Sequence, residues 1–262
     1  MRLELDTPQD EATSARQHDV GANKCALRFA ILSAFEHPDL LCMLTIETHG
    51  RVAVLNIDDG KANVVSEAFS KALNEGLDAA ERDADAVLIV GRPGRFSAGF
   101  DLSVIRDGTP EQAAAMRRAG ALTMNRLFVH PQPVVMACTG HALAAGALIL
   151  LTGDTRIGVR GDFKIGLNET SIGLALPTFG LELAKARMPA TQLTANVIQS
   201  RLHNPDSAVT AGYLDEVVES DQLMETALAR ATALAEISGD AYGTVKQRLR
   251  GGVAKIIADS LA

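Results

Sequence analysis

From Met43 onward the chain settles into regular hydrophobic patterns. Met43-Leu-Thr-Ile-Glu alternates apolar and polar positions, His49-Gly50 turns the chain, and Arg51-Val-Ala-Val-Leu-Asn-Ile alternates again. Alternation on both sides of a glycine turn predicts a β-hairpin. Residues 58–63 (Asp-Asp-Gly-Lys-Ala-Asn) then read as a loop. Ser66 can cap a helix running to about Ala80, because Phe69, Leu73 and Leu77 recur on one helical face. Ala86-Val-Leu-Ile-Val is continuously apolar, the pattern of a strand buried on both faces. Thr109-Pro-Glu-Gln112 has the form of a capping box with proline at the first helical position, and opens a helix to about Val129.

Pro133-Val-Val-Met-Ala-Cys reads as the next strand, and Ala144 to Leu151 as a helix. Short strands are expected at Thr155 to Val159 and Phe163 to Ile165. Beyond Phe179 the pattern is mostly helical, broken by His203-Asn-Pro and by a strand near Tyr213 to Val218. Two further helices are expected at Leu223 to Ile237 and Tyr242 to Ile257. Strands alternating with helices, followed by helices alone, predict an α/β fold with a helical C-terminal region.

The first forty-odd residues differ. Asp6 to Asn23 is polar with no sustained period, and Cys25 to Phe35 is apolar enough for a short helix that His37-Pro38 ends. The expected organisation is an N-terminal extension over 1–42, outside the main core, then a core over 43–200 and a helical C-terminal region over 201–262. Residues upstream of a true start at Met43 are the plainer alternative for 1–42.

Composition narrows the function classes. The chain has 262 residues with 47% hydrophobic and 22% charged, enough to bury a sizeable core. A net charge of −7 opposes a broad phosphate-binding surface, and the absence of Trp with only 2 Tyr removes the stacking platforms of single-strand binders. No nucleic-acid partner is therefore expected. No apolar run reaches the ~18 residues of a bilayer span, and the N-terminus lacks a secretory signal pattern. The expectation is a soluble, cytoplasmic protein without a membrane partner. The 3 cysteines form no CxxC pair and the 6 histidines no HExxH spacing, so no metal site is expected.

Three segments are left as candidates for chemistry. Gly91-Arg-Pro-Gly-Arg-Phe-Ser-Ala-Gly-Phe-Asp-Leu102 is neither a Walker loop nor a nucleophile elbow, yet a loop of small residues can leave backbone N–H groups pointing at a ligand. Gly140-His-Ala-Leu-Ala-Ala-Gly-Ala147 is a small-residue turn entering a helix, whose N-terminus suits an oxyanion. On spacing alone, both read more readily as tight connections that need small residues for close packing. In Ile165-Gly-Leu-Asn-Glu-Thr-Ser-Ile-Gly-Leu-Ala-Leu-Pro177, Glu169 is a solitary carboxylate in an otherwise uncharged stretch. Buried, it would have the raised pKa of a useful general base; exposed, it is an ordinary loop residue. Ser97, Asp101 and His141 make a poor triad without the elbow, and Asp101 suits a helix cap better. Arg92 and Arg95 are either phosphate partners or surface residues.

These segments, with Lys61-Ala-Asn-Val-Val-Ser, Phe96-Ser-Ala-Gly-Phe-Asp-Leu and Ala211-Gly-Tyr-Leu-Asp-Glu-Val-Val, resemble the crotonase (enoyl-CoA hydratase/isomerase) superfamily from about Met43 to Val218. The resemblance implies a spiral of stacked ββα units with a helical C-terminal trimerisation region, and a homotrimer or hexamer. It implies an acyl-CoA thioester substrate, with coenzyme A belonging to the substrate and no separate cofactor. It places two oxyanion-holding backbone N–H groups at Phe100 and Ala145, and the pantetheine and adenine along Lys61, Ala62, Ala98 and Gly99. Of the two glutamates that hydratases use, the first position is Leu148 here and the second is Glu169. The segment therefore looks most like the single-glutamate enoyl-CoA isomerases. On that resemblance Glu169 takes a proton from the α carbon of a β,γ-enoyl-CoA and returns it to the γ carbon, while Leu148 excludes water. A hydratase with a substitute second acid, or a weakly active acyl-CoA-binding protein, are the alternatives.

Overall fold

The computed structural model of the chain describes residues 43–262. The extension 1–42, with the helix expected at Cys25 to Phe35, lies outside the described residues. The predicted hairpin forms from β1 (Leu44–His49) and β2 (Val52–Ile57), antiparallel, with Leu44 opposite Ile57 and His49 opposite Val52. After the loop come a two-residue strand, β3 (Val64–Val65), and helix α1 (Glu67–Asp83). The Ser66 hydroxyl accepts the Phe69 N–H at 3.0 Å, and Phe69, Leu73 and Leu77 are buried as their spacing requires. Strand β4 (Ala86–Val90) is followed by two short strands, β5 (Gly94–Ser97) and β6 (Gly99–Phe100).

Asp101 caps α2 (Leu102–Asp107), accepting the Ser103 N–H at 2.8 Å. In α3 (Pro110–Phe128) both bonds of the capping box are made, Gln112 N–H to Thr109 at 3.2 Å and Thr109 N–H to Gln112 at 2.8 Å. The chain continues through β7 (Val134–Cys138), β8 (Gly140–Leu143), α4 (Ala145–Thr152), β9 (Thr155–Val159) and β10 (Ile165–Gly166). Helices α5 (Thr178–Arg187) and α6 (Pro205–Ala211), strand β11 (Glu216–Val218), and helices α7 (Leu223–Ala235) and α8 (Asp240–Asp259) complete it.

Six strands make the main sheet in the order β1-β2-β4-β7-β9-β11, parallel apart from the hairpin. Strands β4 and β7 are buried throughout, as their unbroken apolar runs predict. Ala86, Leu88 and Val90 of β4 meet Leu223, Ala227, Ala231 and Ala235 of α7. Val87 and Ile89 point the other way, into a core shared with α1, α3 and α4. Small residues at four-residue spacing on α7 let that helix lie close against the sheet.

Two smaller sheets depart from the pattern reading: β10-β8-β5 and β3-β6. Residues 94–97, 99–100 and 140–143 read as connections in sequence, yet they form strands. Strands of two to four residues rich in glycine and alanine carry no periodic signal, and only their partners define them. Two expected strands are also shorter than their patterns: Phe163 to Ile165 becomes Ile165–Gly166, and Tyr213 to Val218 becomes Glu216–Val218.

The C-terminal end of α4 is held by cations. Arg187 donates to Leu151 O at 3.1 Å and Gly153 O at 2.8 Å, and Arg250 donates to Thr152 O at 3.3 Å and Phe128 O at 2.9 Å. Asp154 balances the charge, 2.6 Å from Lys246 and 2.9 Å from Arg250. Cations suit the negative end of a helix, and here they lock α8 against α4. Among the described residues no helix is long and apolar enough to cross a membrane, and no cluster of His, Cys, Asp or Glu could hold a metal ion.

Candidate active site

The three chemistry-bearing segments are the strands of one small parallel sheet. Strand β8 lies in the middle: Gly140 pairs with Gly94 of β5 on one side, and Ala142 with Ile165 of β10 on the other. Each strand runs on at its C-terminal end into a candidate site residue. Strand β5 leads to Ala98, Gly99 and Phe100, β8 leads to Ala144 and Ala145, and β10 leads to Leu167, Asn168 and Glu169. Parallel strands necessarily gather their C-terminal ends on one edge, where open α/β sheets bind ligands.

On that edge the backbones touch. A Cβ at Gly99 would lie 2.9 Å from Ala144 Cβ and 3.2 Å from Ala145 N, so only glycine allows this approach. Gly99 also has φ +91°, a left-handed conformation that re-aims the peptide leading to Phe100. Ala144 adopts φ +50° and ψ −124°, unfavourable for a residue with a Cβ, immediately before α4. Its N–H donates to Gly166 O at 3.0 Å, which joins the start of α4 to the acid's segment. Ala145 is buried and is the first residue of α4, so its N–H has no acceptor within the helix. No side chain caps that end. Phe100 is half-buried in β6, its ring edge-on to Phe179 at 6.4 Å and seated where Gly120 lacks a side chain.

Glu169 lies at the start of a 3₁₀ turn, Thr170–Ile172. Its Oε2 is buried and has no hydrogen-bond partner, and Asn168 Oδ1 beside it is in the same state. Burial holds the Glu169 carboxyl above its usual 4.5, opposed only by N–H groups of residues 168 and 169. No charged neighbour contributes. Leu148 is 1% exposed, one turn into α4. It meets Leu176 at Gly180, where a Cβ would lie 2.9 Å from Leu176 Cδ1 and 3.2 Å from Leu148 Cδ1.

The loop of Lys61 and Ala62 lies against the same edge: Ala98 N–H donates to Ala62 O at 3.0 Å, and Lys61 is exposed. Sequence reasoning missed what holds this loop. Asn63, fully buried with φ +50°, donates to Ile57 O at 2.9 Å and Phe96 O at 3.2 Å and accepts the Asp59 N–H at 2.9 Å. Arg92 donates to Lys61 O at 2.7 Å and approaches Asp58 at 3.4 Å, so its guanidinium braces the loop; Arg95 is exposed. Ser97 donates to Asn63 O at 2.6 Å, Asp101 caps α2, and His141 Nδ1 accepts the Lys164 N–H at 3.0 Å. Each of the three is engaged separately.

The family model described as enoyl-CoA hydratase/isomerase matches residues 47–259. The chain belongs to the enoyl-CoA hydratase/isomerase family. It is 30% identical over 208 residues to the human mitochondrial enoyl-CoA delta isomerase 1, covering 78% of this chain and 68% of the relative. It is 27% identical over 222 residues to a short-chain-enoyl-CoA hydratase of Clostridium acetobutylicum, covering 83% and 84%. A crystal structure of an enoyl-CoA hydratase/isomerase family protein from Pseudomonas syringae superposes with a TM-score of 0.82 at 36% identity, covering 85% of this chain and 96% of that one. The fold is thus the crotonase fold expected from the sequence, and the protein is an enzyme of this family.

Proposed function

We propose that this family member is an enoyl-CoA isomerase that converts a β,γ-enoyl-CoA to the α,β-enoyl-CoA through Glu169. One observation carries the reading: a single carboxylate has a buried, unpartnered oxygen at the edge of the small sheet, with no charged group near enough to perturb it. Leu148, buried in the helix beside it, offers no second acid with which to orient a water. The Glu169 carboxylate takes the α proton, the C–H electron pair moves into a dienolate, and the oxygen is held by the Phe100 and Ala145 N–H groups. The protonated acid returns the proton to the γ carbon as the double bond moves into conjugation. Lys61, Ala62, Ala98 and Gly99 lie along the coenzyme A arm of this substrate. The Ala145 N–H suits its role because the N-terminal end of α4 carries partial positive charge and no cap.

The deciding experiment follows conjugation of a 3-enoyl-CoA by the wild-type enzyme and by Glu169→Gln. The expected outcome is turnover by the wild type and a loss of roughly 100- to 10,000-fold in kcat for the variant. Full activity in the variant, or water addition to a 2-enoyl-CoA as efficient as isomerisation, would overturn the reading. Assembly into a trimer or a hexamer is part of the same proposal. It is supported by the exposed Val245, Leu249 and Ile256 along one side of α8, and is tested by the mass in solution.

A further inference from the structure

Tyr213 has no role in the reaction as described, yet its hydroxyl is placed with care. The residue follows α6 and is fully buried. Phenylalanine would fill the same space without a polar group to desolvate, so a buried phenol needs a partner. That partner is the Leu167 N–H, which donates to Tyr213 Oη at 3.1 Å. Leu167 stands two residues before Glu169, between β10 and the 3₁₀ turn.

The neighbouring backbone is tethered in the same direction. Ile165 and His203 exchange two N–H···O bonds of 2.9 Å, and the Thr170 hydroxyl donates to Val197 O at 3.3 Å. The Ser171 N–H donates to Ser200 Oγ at 3.1 Å. The His203 ring lies 5.9 Å from the Tyr213 ring, and its Nε2 is 2.8 Å from Asn196 Oδ1. Asn196 in turn donates to Ala211 O at 3.1 Å, at the end of α6. Residues 165, 167, 170 and 171 are therefore each bonded to the 196–213 stretch, whereas the Glu169 side chain between them keeps a bare oxygen.

The geometry points to Tyr213 as a positioning residue that sets the direction of the Glu169 carboxylate by holding the Leu167 N–H. This rests on the proton-shuttle reading above. The bond made by the phenol oxygen is to the Leu167 N–H, not to the acid itself. It acts by keeping the peptide ahead of the acid from rotating, which a base serving two carbons of one substrate needs. Misplacing a reacting group by about 1 Å can cost on the order of 100-fold.

The test compares wild type, Tyr213→Phe and Glu169→Gln in steady-state isomerisation of a 3-enoyl-CoA, with hydrogen–deuterium exchange of the peptide spanning residues 165–172. Tyr213→Phe is expected to lower kcat about 10- to 100-fold, leave KM within about two-fold, and speed exchange in that peptide. Unchanged kcat per folded enzyme, or a loss that falls on KM alone, would overturn the inference. If Tyr213→Phe fails to fold, ring-fluorinated tyrosine in a Tyr242→Phe background weakens the same acceptor without removing it, and the same kcat and exchange changes are expected. An active Glu169→Gln defeats the shuttle reading instead. The exchange measurement then still reports whether Tyr213 holds the segment.

Discussion

The main sheet and the small sheet β10-β8-β5 are built from different materials. The central strands of the main sheet, β4 and β7, are mostly valine, leucine and isoleucine and are buried throughout; Leu88 and Ile89 are 0% exposed and point to opposite sides. The small sheet β10-β8-β5 has strands of only two to four residues, each containing a glycine. Large branched side chains fill volume and supply apolar burial. Small ones supply little, but they let backbones approach closely: a Cβ at Gly99 would lie 3.2 Å from Ala145 N. The contrast teaches what each sheet does physically: one excludes water, and the other leaves polar groups bare beyond its edge.

If that division holds, substitutions should separate cleanly. Glu169→Gln should show the largest effect, the roughly 100- to 10,000-fold loss in kcat already stated, with an unchanged or raised melting temperature because a buried carboxyl no longer needs to ionise. The pH dependence follows from the sign of the shift. Glu169 is held above its usual 4.5, so the folded state binds this proton more tightly than the unfolded chain. Its contribution to stability is complete below about pH 4.5 and is lost as pH rises through the raised value. On the proposed shuttle activity runs the other way, because the base must be ionised: kcat/KM, which reports the free enzyme, should fall on acidification with a midpoint above the usual 4.5, visible in a pH–rate profile.

Leu88→Ala, in the main sheet, should cost about 2–5 kcal/mol by urea denaturation while kcat of the folded protein stays within about two-fold. A loss of turnover without a loss of stability would break the comparison. Gly99→Ala adds a Cβ 2.9 Å from Ala144 Cβ in a left-handed conformation, and on the proposed mechanism should lower kcat by about 100-fold by displacing the Phe100 N–H. Normal turnover there would remove the Phe100 N–H from the site. The smallest effect is expected from Ala144→Gly. Relief of the positive φ should stabilise by about 1 kcal/mol and raise the melting temperature by roughly 2–4 °C. A lowered melting temperature would show that the turn is not strained.

How much of this was legible in the chain depends on the range of the signal. Ser66, Asp101 and Thr109 act on N–H groups two or three residues away, so their caps were readable from neighbouring residues. The both-face burial of β4 was readable from its unbroken apolar run. Strands β5, β6 and β8 were not, because nothing local distinguishes a short glycine-rich strand from a loop. Glu169 stood out by its isolation among uncharged residues, and the backbone donors were inferred from family resemblance. Asn63 reads as one more loop residue, and only the fold brings its side chain to Phe96 O.

The sequence by itself determined which segments are strands and helices wherever apolar periodicity is long, where the helices begin, and which carboxylate stands alone. Only the tertiary structure decided that Glu169 loses water from one oxygen, that Gly99 and Ala145 meet, and that a tyrosine 46 positions away holds the Leu167 N–H. The reason is physical. Periodicity records which face of an element is dry, whereas desolvation of one atom and the close approach of two backbones depend on what other parts of the chain bring against them.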